Sequence, residues 1–434
     1  MVIENYIPDP IHGSIEMPTW FLKIKEEKSV RRMMFIRQLG LKAYIDYPGA
    51  IHTRYSHVQG VMHLAGRVVD MLRDYEDKKG HTETATNLQR NKSTIMAAGF
   101  LHDIGHGPFS HVCDYVLEKF SGKKHEDVGA ELISQLKILE NEGMPIKSIQ
   151  EIITGKHSYP FISNIINGPL DADKLDYLLR DAYHVGLKYS FDLNYFIKNF
   201  RILGSDKSKL EHCELGLENM PQAIVTAEIF VVIWKSMYDL VYHVENSRIA
   251  EKMLEKALLL RAENDSSFKE CFKDIKKFVE IHDEQLLDAL RLKGDLAGKL
   301  AEGVANNQLF EVINDTELST NNFKFSDDFA SKLNTDPDKL SDHLSIELAK
   351  KVKCDKYRII CDIIKSKTPK DIHVNEYVGP DPVELKSKSS IISNIDLEFR
   401  VKTYVDKPLK KDIGKDLITS FLKDSTSNEV NWGK

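Results

Sequence analysis

No stretch of this chain stays apolar long enough to approach a membrane span, and none of its cysteines forms a CxxC pair. The five cysteines (Cys113, Cys213, Cys271, Cys354 and Cys361) are scattered and odd in number. That usage argues against a disulfide framework and fits reduced thiols in a cytosolic protein. The opening residues MVIENYIPDP have no basic segment and no apolar run, so no secretory leader is expected and the localisation reads as cytoplasmic, with no membrane partner. Excess charge of one sign is also small: 60 Lys and Arg against 66 Asp and Glu give a formal net charge of −6. This argues against wholesale electrostatic binding of nucleic acid, and any anionic ligand needs a local cluster of Lys and Arg. Internal repeats and long low-complexity tracts are missing too. What remains is ordinary: 434 residues with 42% hydrophobic content, enough for a sizeable core in two or three domains.

Helical periodicity dominates to about residue 310. Val58, Val61, Met62, Ala65, Val68, Val69 and Leu72 follow i, i+3, i+4 spacing, the mark of an amphipathic helix. The polar stretch DYEDKKGHTETATNLQRNKS has no such period and reads as a loop or insertion. STIMAAGFLHD then reads as a short helix, N-capped by Ser93 and stopped by Gly105 to Pro108. From Gln222 to about Leu260 the stripe Ile224, Ala227, Val231, Trp234, Tyr238 and Val241 predicts one long helix or two in series. Beyond residue 310 the texture changes. NDTELSTNNFKFSDD reads as a linker, YRIICDII and LEFRVKTYV as strands, GKDLITSFLKD as a closing helix and TSNEVNWGK as a frayed end. The expected fold class is mainly α, with a helical domain over 1–310 and a smaller α+β domain over 311–434.

Three segments carry chemistry-bearing residues. HTRYSHVQG places His57 at the start of the amphipathic helix, FLHDIGHGPFSH holds the adjacent pair His102–Asp103, and LDADKLDYLLRDAYH spans residues 170–184. On a helix, Asp173, Tyr177, Asp181 and His184 share one stripe while Leu175, Leu178, Leu179 and Ala182 share another. Like charges along one stripe give a helix no stability of their own. From the helix alone, a solvated polar face explains the stripe as well as a ligand face does. Imidazoles and carboxylates suit Zn, Mn, Fe or Mg, and a set of two of each leaves coordination positions open. A hydrolytic centre needs such positions for water and substrate. Spacing by itself does not bring His57 and Asp173 to His102–Asp103.

The segments DPIHGSIEM, RQLGLKAYIDYPGAIHTRYSHVQGV, AAGFLHDIGHGPFSHVCD, KKHEDVGAELI and LDADKLDYLLRDAYHVGL occur in one order over residues 7–260. In that order they resemble the HD-domain phosphohydrolases, and most of all the dNTP triphosphohydrolase branch. The resemblance implies a helical HD core, a single divalent metal per subunit (Mn, Fe, Zn or Mg) and metal ligands His57, His102, Asp103 and Asp173. It implies a catalytic pair, His125 and Asp114, with His106 and His111 lining the phosphate site. It also implies phosphate contacts from Arg54, Lys174 and Tyr177, and contacts to the sugar and its surroundings from Asp181 and Gln38. Tyr242 and His243 align with nucleoside-facing positions. The residues agree with these roles. Arg54 lies one helical turn from His57, Lys174 directly follows Asp173, and a carboxylate such as Asp114 would hold the tautomer of His125 for proton transfer. Asp171 is read as a neighbour of the ligand Asp173.

One position departs from the pattern. Where the family has a phosphate-binding arginine, this chain has Trp234, with Lys235 beside it but facing about 100° away on a helix. Losing a charged fork costs about 2–3 kcal/mol of binding. The expected function is a metal-dependent dNTP triphosphohydrolase. The alternatives are an HD phosphoesterase acting on nucleic acid ends, nucleoside monophosphates or a signalling nucleotide, and a non-catalytic nucleotide-binding regulator. The implied partners are a dNTP, a single-stranded nucleic acid under the second reading, and further copies of the chain in a dimer or tetramer.

Overall fold

The computed structural model describes residues 5–204, 209–366, 373–375, 382–394 and 398–427. It is mainly helical with small sheets, as the periodicity predicts. Two compact units share the chain: Met1–His243, Ser267–Leu286 and Pro369–Asn394 form one, and Val244–Ser266, Leu287–Thr368 and Ile395–Lys434 the other. Each unit takes chain from both sides of residue 310, so the expected division at that point does not coincide with them.

The first unit is built on α1 (Arg54–Lys78) and α2 (Thr82–Leu101), two helices joined by a tight turn at Gly80, whose φ is +79°. The expected loop over residues 74–93 is therefore helix. Its weak apolar period conceals Leu88 and Ala85, which are buried, and Glu76, which is fully buried and bonded to His81 (2.6 Å). Glu, Ala, Leu, Gln and Arg there are strong helix formers, and tertiary burial supplies the rest. Ser93 accordingly lies inside α2 and caps nothing. Helices α3 (Asp114–Ser121), α4 (His125–Gln135) and α5 (Ala172–Val185) follow, with Asp171 capping α5 through the Lys174 N–H (2.8 Å). The apolar run beyond residue 220 is two helices in series, α6 (Pro221–Met237) and α7 (Glu245–Asn264), separated by a π-helical turn over Tyr238–Tyr242. A hairpin pairs Tyr6–Asp9 with Gly13–Glu16, and Phe200–Leu203 runs antiparallel to Glu214–Leu217, which pairs in parallel with His373–Asn375.

The second unit contains α7, α8 (Pro337–Val352) and α9 (Lys415–Ser427) around a three-stranded antiparallel sheet. Its central strand is Phe399–Val405, flanked by Glu311–Glu317 and Ile359–Lys365. The two strands expected from YRIICDII and LEFRVKTYV are present, as is the closing helix. The expected linker NDTELSTNNFKFSDD instead starts within the edge strand, buries Phe323 and ends in a helix over Asp327–Thr335. Leu340, Leu344, Leu348, Ile359, Ile363, Val401, Ile418 and Leu422 close the core of this unit. The end segment TSNEVNWGK falls almost wholly outside the described residues. All five cysteines are free.

Candidate metal centre

Three segments of the first unit converge. His57 sits in the first turn of α1, His102 and Asp103 follow directly on α2, and Asp173 lies in the first turn of α5. The His57 Nε2 atom lies 3.0 Å from Asp173 Oδ1 and 3.8 Å from Asp103 Oδ2. His102 Nε2 lies 3.3 Å from Asp103 Oδ1 and 3.5 Å from Asp173 Oδ1. The opposite ring nitrogens are already engaged: His102 Nδ1 donates to the Gly99 carbonyl (2.9 Å) and His57 Nδ1 to Asp176 Oδ2 (2.8 Å). Those bonds turn both Nε2 lone pairs inward, where each is buried without a hydrogen-bond partner among the described residues. Two imidazole lone pairs facing two carboxylates need a positive charge between them. The donor set fits a divalent cation, and the carboxylate behind His57 is the arrangement that orients metal-binding histidines.

Asp176 escaped the sequence reading. It is fully buried and accepts four bonds: from His12 Nε2 (2.6 Å), from His57 Nδ1, and from Arg180 Nη2 (2.9 Å) and Nε (2.8 Å). Arg180 in turn binds Asp9 Oδ2 (2.8 Å). Burial alone would raise the Asp176 carboxyl, but Arg180, His12 and His57 outweigh it and hold it well below the usual carboxylate range. Burial would also depress His57, yet the carboxylates of Asp173 and Asp176 on either side outweigh it, so the ring sits in a field that favours positive charge. The close approach of α1 and α5 requires Gly60, where a Cβ would stand 1.8 Å from Asp176 Oδ1. The only sequence signals for this group were the His of DPIHG and the i, i+4 pair Asp176–Arg180.

A second histidine group adjoins the first. His106 Nε2 lies 3.4 Å from Asp103 Oδ1, and the His106 ring stacks on His125 at 3.8 Å. Asp114 Oδ2 accepts from His111 Nδ1 (2.9 Å) and lies 3.4 Å from His125 Nδ1. Burial would lift the Asp114 carboxyl, but His111 and His125 hold it well below its ordinary value. Desolvation would lower His125, and Asp114 overrides it and raises the imidazole. Gly105 allows this juxtaposition, since a Cβ there would fall 2.0 Å from the His125 carbonyl oxygen. Arg32, also missed, clamps the turn by donating to the carbonyls of Ile104 (3.1 Å) and His106 (2.7 Å). Asp283, far away in the chain, holds its other side by accepting from the Phe109 N–H (2.7 Å) and the Arg37 N–H (2.8 Å).

Arg54 joins the two groups, pairing with Asp103 Oδ2 and donating from Nε to Ser110 Oγ (3.0 Å). Lys174 is turned to Asp171 Oδ2 (2.6 Å) and the Gly168 carbonyl (3.0 Å). A third group lies along α5. Asp181 is buried, not part of a solvated face; its oxygens accept from Tyr242 Oη (2.8 Å) and contact His52 Nε2 (2.7 Å). Tyr177 stands edge-on to Tyr242 at 6.1 Å, His243 edge-on to Tyr238 at 5.4 Å, and Trp234 packs on Tyr238 at 4.8 Å as a core residue. Lys235 is held by Asp239 (2.7 and 2.8 Å). Gln38 keeps a buried Oε1 without a partner among the described residues.

The family model described as HD domain matches residues 54–181, which hold every metal-ligand candidate, and the model described as HD associated region matches residues 208–423. The chain belongs to the HD-domain superfamily. HD domains hold divalent metals, and His57, His102 and Asp103 form a group that could hold one. A protein of Dictyostelium discoideum named deoxynucleoside triphosphate triphosphohydrolase SAMHD1 homolog is 26% identical over 341 residues, 74% of this chain and 62% of the relative. The mouse protein named deoxynucleoside triphosphate triphosphohydrolase SAMHD1 is 32% identical over 229 residues, 45% of this chain and 34% of its own length. This HD-domain chain thus spans between about a third and three fifths of the length of these two relatives. A hypothetical protein from Aquifex aeolicus, solved as a crystal structure, shares the fold with a TM-score of 0.72 at 24% identity, over 96% of this chain and 99% of that one. No helix among the described residues is long and apolar enough to cross a membrane.

Proposed function

We propose that this chain is a metal-dependent phosphohydrolase that converts a dNTP to deoxynucleoside and triphosphate. The observation that carries the reading is the pair of buried, unpartnered Nε2 atoms of His57 and His102 turned toward Asp103 and Asp173. A divalent cation held by these four residues, Mn, Fe, Zn or Mg, supplies the Lewis acidity that neutralises phosphate oxygens and activates water. Arg54 gives its guanidinium to a phosphate by exchanging part of its bond with Asp103. Lys174 and Tyr177 close on further phosphate oxygens. His125, charged through Asp114, delivers a proton to the leaving oxygen, while His106 and His111 line the phosphate path. Asp181, Tyr242, His243 and Gln38 would serve the nucleoside. The names of the Dictyostelium and mouse relatives support the substrate class.

One observation favours a second reading. Trp234 is buried and Lys235 is held by Asp239, so the arginine of the family pattern has no cationic replacement there. That fits a substrate with fewer phosphates, such as a nucleic acid end or a monophosphate. Product identification separates the two. Purified protein with Mn²⁺ is offered each dNTP, a single-stranded oligonucleotide and a dNMP. Release of inorganic triphosphate supports the proposal; shortened DNA or free phosphate selects the second reading, and binding without turnover a regulator. Activity surviving in His102→Ala would refute the site itself.

A further inference from the structure

Asp283 opens the helix over Asp283–Arg291, a place where an aspartate ordinarily accepts from an N–H of its own helix. Here it turns outward instead. Its side chain is fully buried and reaches two distant segments of the same unit. Oδ1 accepts the Phe109 N–H (2.7 Å) and Oδ2 the Arg37 N–H (2.8 Å). Its neighbours in the chain lie along the same surface. Glu284 accepts from Tyr44 Oη (2.9 Å), and the Phe278 ring lies beneath the Arg32 guanidinium (5.4 Å). The same ring packs on Gly107, where a Cβ would stand 2.8 Å from Cζ. The turn held in this way is strained. Phe109 and Ser110 both adopt left-handed backbone (φ 54° and 55°), a conformation that such side chains rarely take. It persists only where the surroundings fix it, and it marks functional positions. Its product is the seat of the Ser110 hydroxyl, which donates to the Arg37 carbonyl (3.1 Å) and accepts from Arg54 Nε (3.0 Å).

We propose that Asp283 is a positioning residue for the reaction: by fixing the Phe109–Ser110 turn against Arg37, it sets the aim of the Arg54 guanidinium through the Ser110 hydroxyl. The consequence for phosphate rests on the reading of Arg54 given above. Arg54 needs such a seat. It also pairs with Asp103 through Nη1. A guanidinium that shifts a bond from Asp103 to a phosphate keeps its direction only while Nε stays anchored. Asp283 has the chemistry for the task. A carboxylate carries two acceptor oxygens and no donor, so it takes both N–H groups at once. An asparagine of the same shape takes one and turns an amide N–H toward the other. Stability does not account for the charge. Burial lifts the Asp283 carboxyl to about 6, against the Arg37 and Phe109 N–H groups that favour the anion. At neutral pH the fold therefore holds an anion that asparagine would spare it, and a local cost of that kind belongs to a functional site.

Asp283→Asn, Ser110→Ala and the two together test this. Mn²⁺-loaded protein is titrated with inorganic triphosphate by calorimetry, and kcat and KM are measured on each dNTP. Asp283→Asn should bind triphosphate about 10-fold more weakly, as expected of a misaimed charged hydrogen bond, and lose about 10–100-fold in kcat/KM. Ser110→Ala should do the same. The double variant should be no worse than either single one, since both act through Arg54. Mn²⁺ content should match the native protein, and urea should unfold Asp283→Asn no earlier than the native protein at pH 7. A purely structural Asp283 would instead move stability and leave triphosphate binding intact. A crystal structure of Asp283→Asn should show the Phe109–Ser110 turn relaxed and Arg54 Nε parted from Ser110. That measurement needs no turnover. A native protein that hydrolyses no dNTP would sink the proposed reaction, while the position of Arg54 in the crystal would still decide the role of Asp283. Triphosphate affinity within twofold of native in both single variants, additive losses in the double variant, or an Arg54 that keeps its bond to Ser110 in Asp283→Asn would overturn the proposal.

Discussion

Both units bury charged side chains, but they balance them differently. In the second unit Arg248 forks onto Asp362 (2.8 Å twice), Tyr404 adds a bond to the same carboxylate (3.2 Å), and Lys252 bridges Glu255 and Asp338 (2.9 Å each). Each of these buried charges meets an opposite charge of the protein. In the first unit, imidazole nitrogens and carboxylate oxygens crowd together with some of them left unpaired. His57 Nε2, His102 Nε2, His106 Nδ1 and Asp114 Oδ1 are all buried and unpartnered among the described residues. A saturated network holds a fold together; an unsaturated one leaves lone pairs to offer a cation. Burial of charge alone does not mark a site. The surplus of lone pairs does.

The largest effects should therefore separate by unit. Arg248→Ala strands Asp362 without its partner and should cost about 3–5 kcal/mol of stability in urea unfolding, with metal content unchanged. His102→Ala should do the reverse. It loses one metal equivalent and about 10³-fold of activity, taking several kcal/mol of cation stabilisation at about 1.4 kcal/mol per tenfold, while unfolding of the metal-free protein hardly moves. If His102→Ala unfolded the metal-free protein as severely as Arg248→Ala does, the contrast between the networks would be lost.

Asp176→Asn sharpens the comparison within the first unit. The amide cannot accept from His57 Nδ1, His12 and both Arg180 nitrogens together, so His57 loses its orientation. Metal affinity should fall about 10–100-fold, measured by competition with a chelator, with the metal count preserved at saturating Mn²⁺. An unchanged affinity would reduce Asp176 to a packing residue.

This residue also marks where sequence reading stopped. His57, His102, Asp103 and Asp173 were legible because the motifs carrying them stand in an ordered series, and ligand chemistry gives each a reason to be there. Asp176 was not, because its partners His12 and Arg180 acquire meaning only when α1, α5 and the first hairpin meet. Asp283 is likewise invisible, since its work is to accept two N–H groups more than 170 positions away. The helical fold was legible from periodicity wherever one face was apolar and the other polar. It failed over residues 74–93, where Glu76 is buried by pairing with His81 and only Ala85 and Leu88 signal the core. The missing arginine was legible as a difference, while the turning of Lys235 onto Asp239 was not.

Asp283 yields a pH test. Burial raises its carboxyl from the ordinary 3.8 to about 6, with Glu284 adding to the rise, while the N–H groups of Arg37 and Phe109 and the Arg37 charge oppose it. A carboxyl raised in the folded state binds its proton more tightly there, so the stabilisation is complete below about pH 4 and is lost as pH climbs through 6. Relative to Asp283→Asn, the native protein should lose about 3 kcal/mol of stability between pH 4 and pH 7, at 1.36 kcal/mol per unit. Urea unfolding at several pH values measures this, and a difference that stays flat across the window refutes the assignment.

The smallest effect should come from Lys235, whose ammonium is tied to an exposed i+4 carboxylate. Such a pair contributes about 0.3–0.5 kcal/mol, and Lys235→Ala should cost no more in stability. Its bearing on substrate is more informative. Were Lys235 to stand in for the family's arginine, its removal would raise KM for a triphosphate by the 10-fold or more that a charged hydrogen bond is worth. Held by Asp239 at 2.7 and 2.8 Å, it should change KM by less than about twofold, which fits an exposed pair worth a few tenths of a kcal/mol. A large KM effect would show that Lys235 leaves Asp239 when substrate arrives, and would return the phosphate fork to α6. A negligible one would leave Arg54 and Lys174 as the cations on which triphosphate binding rests.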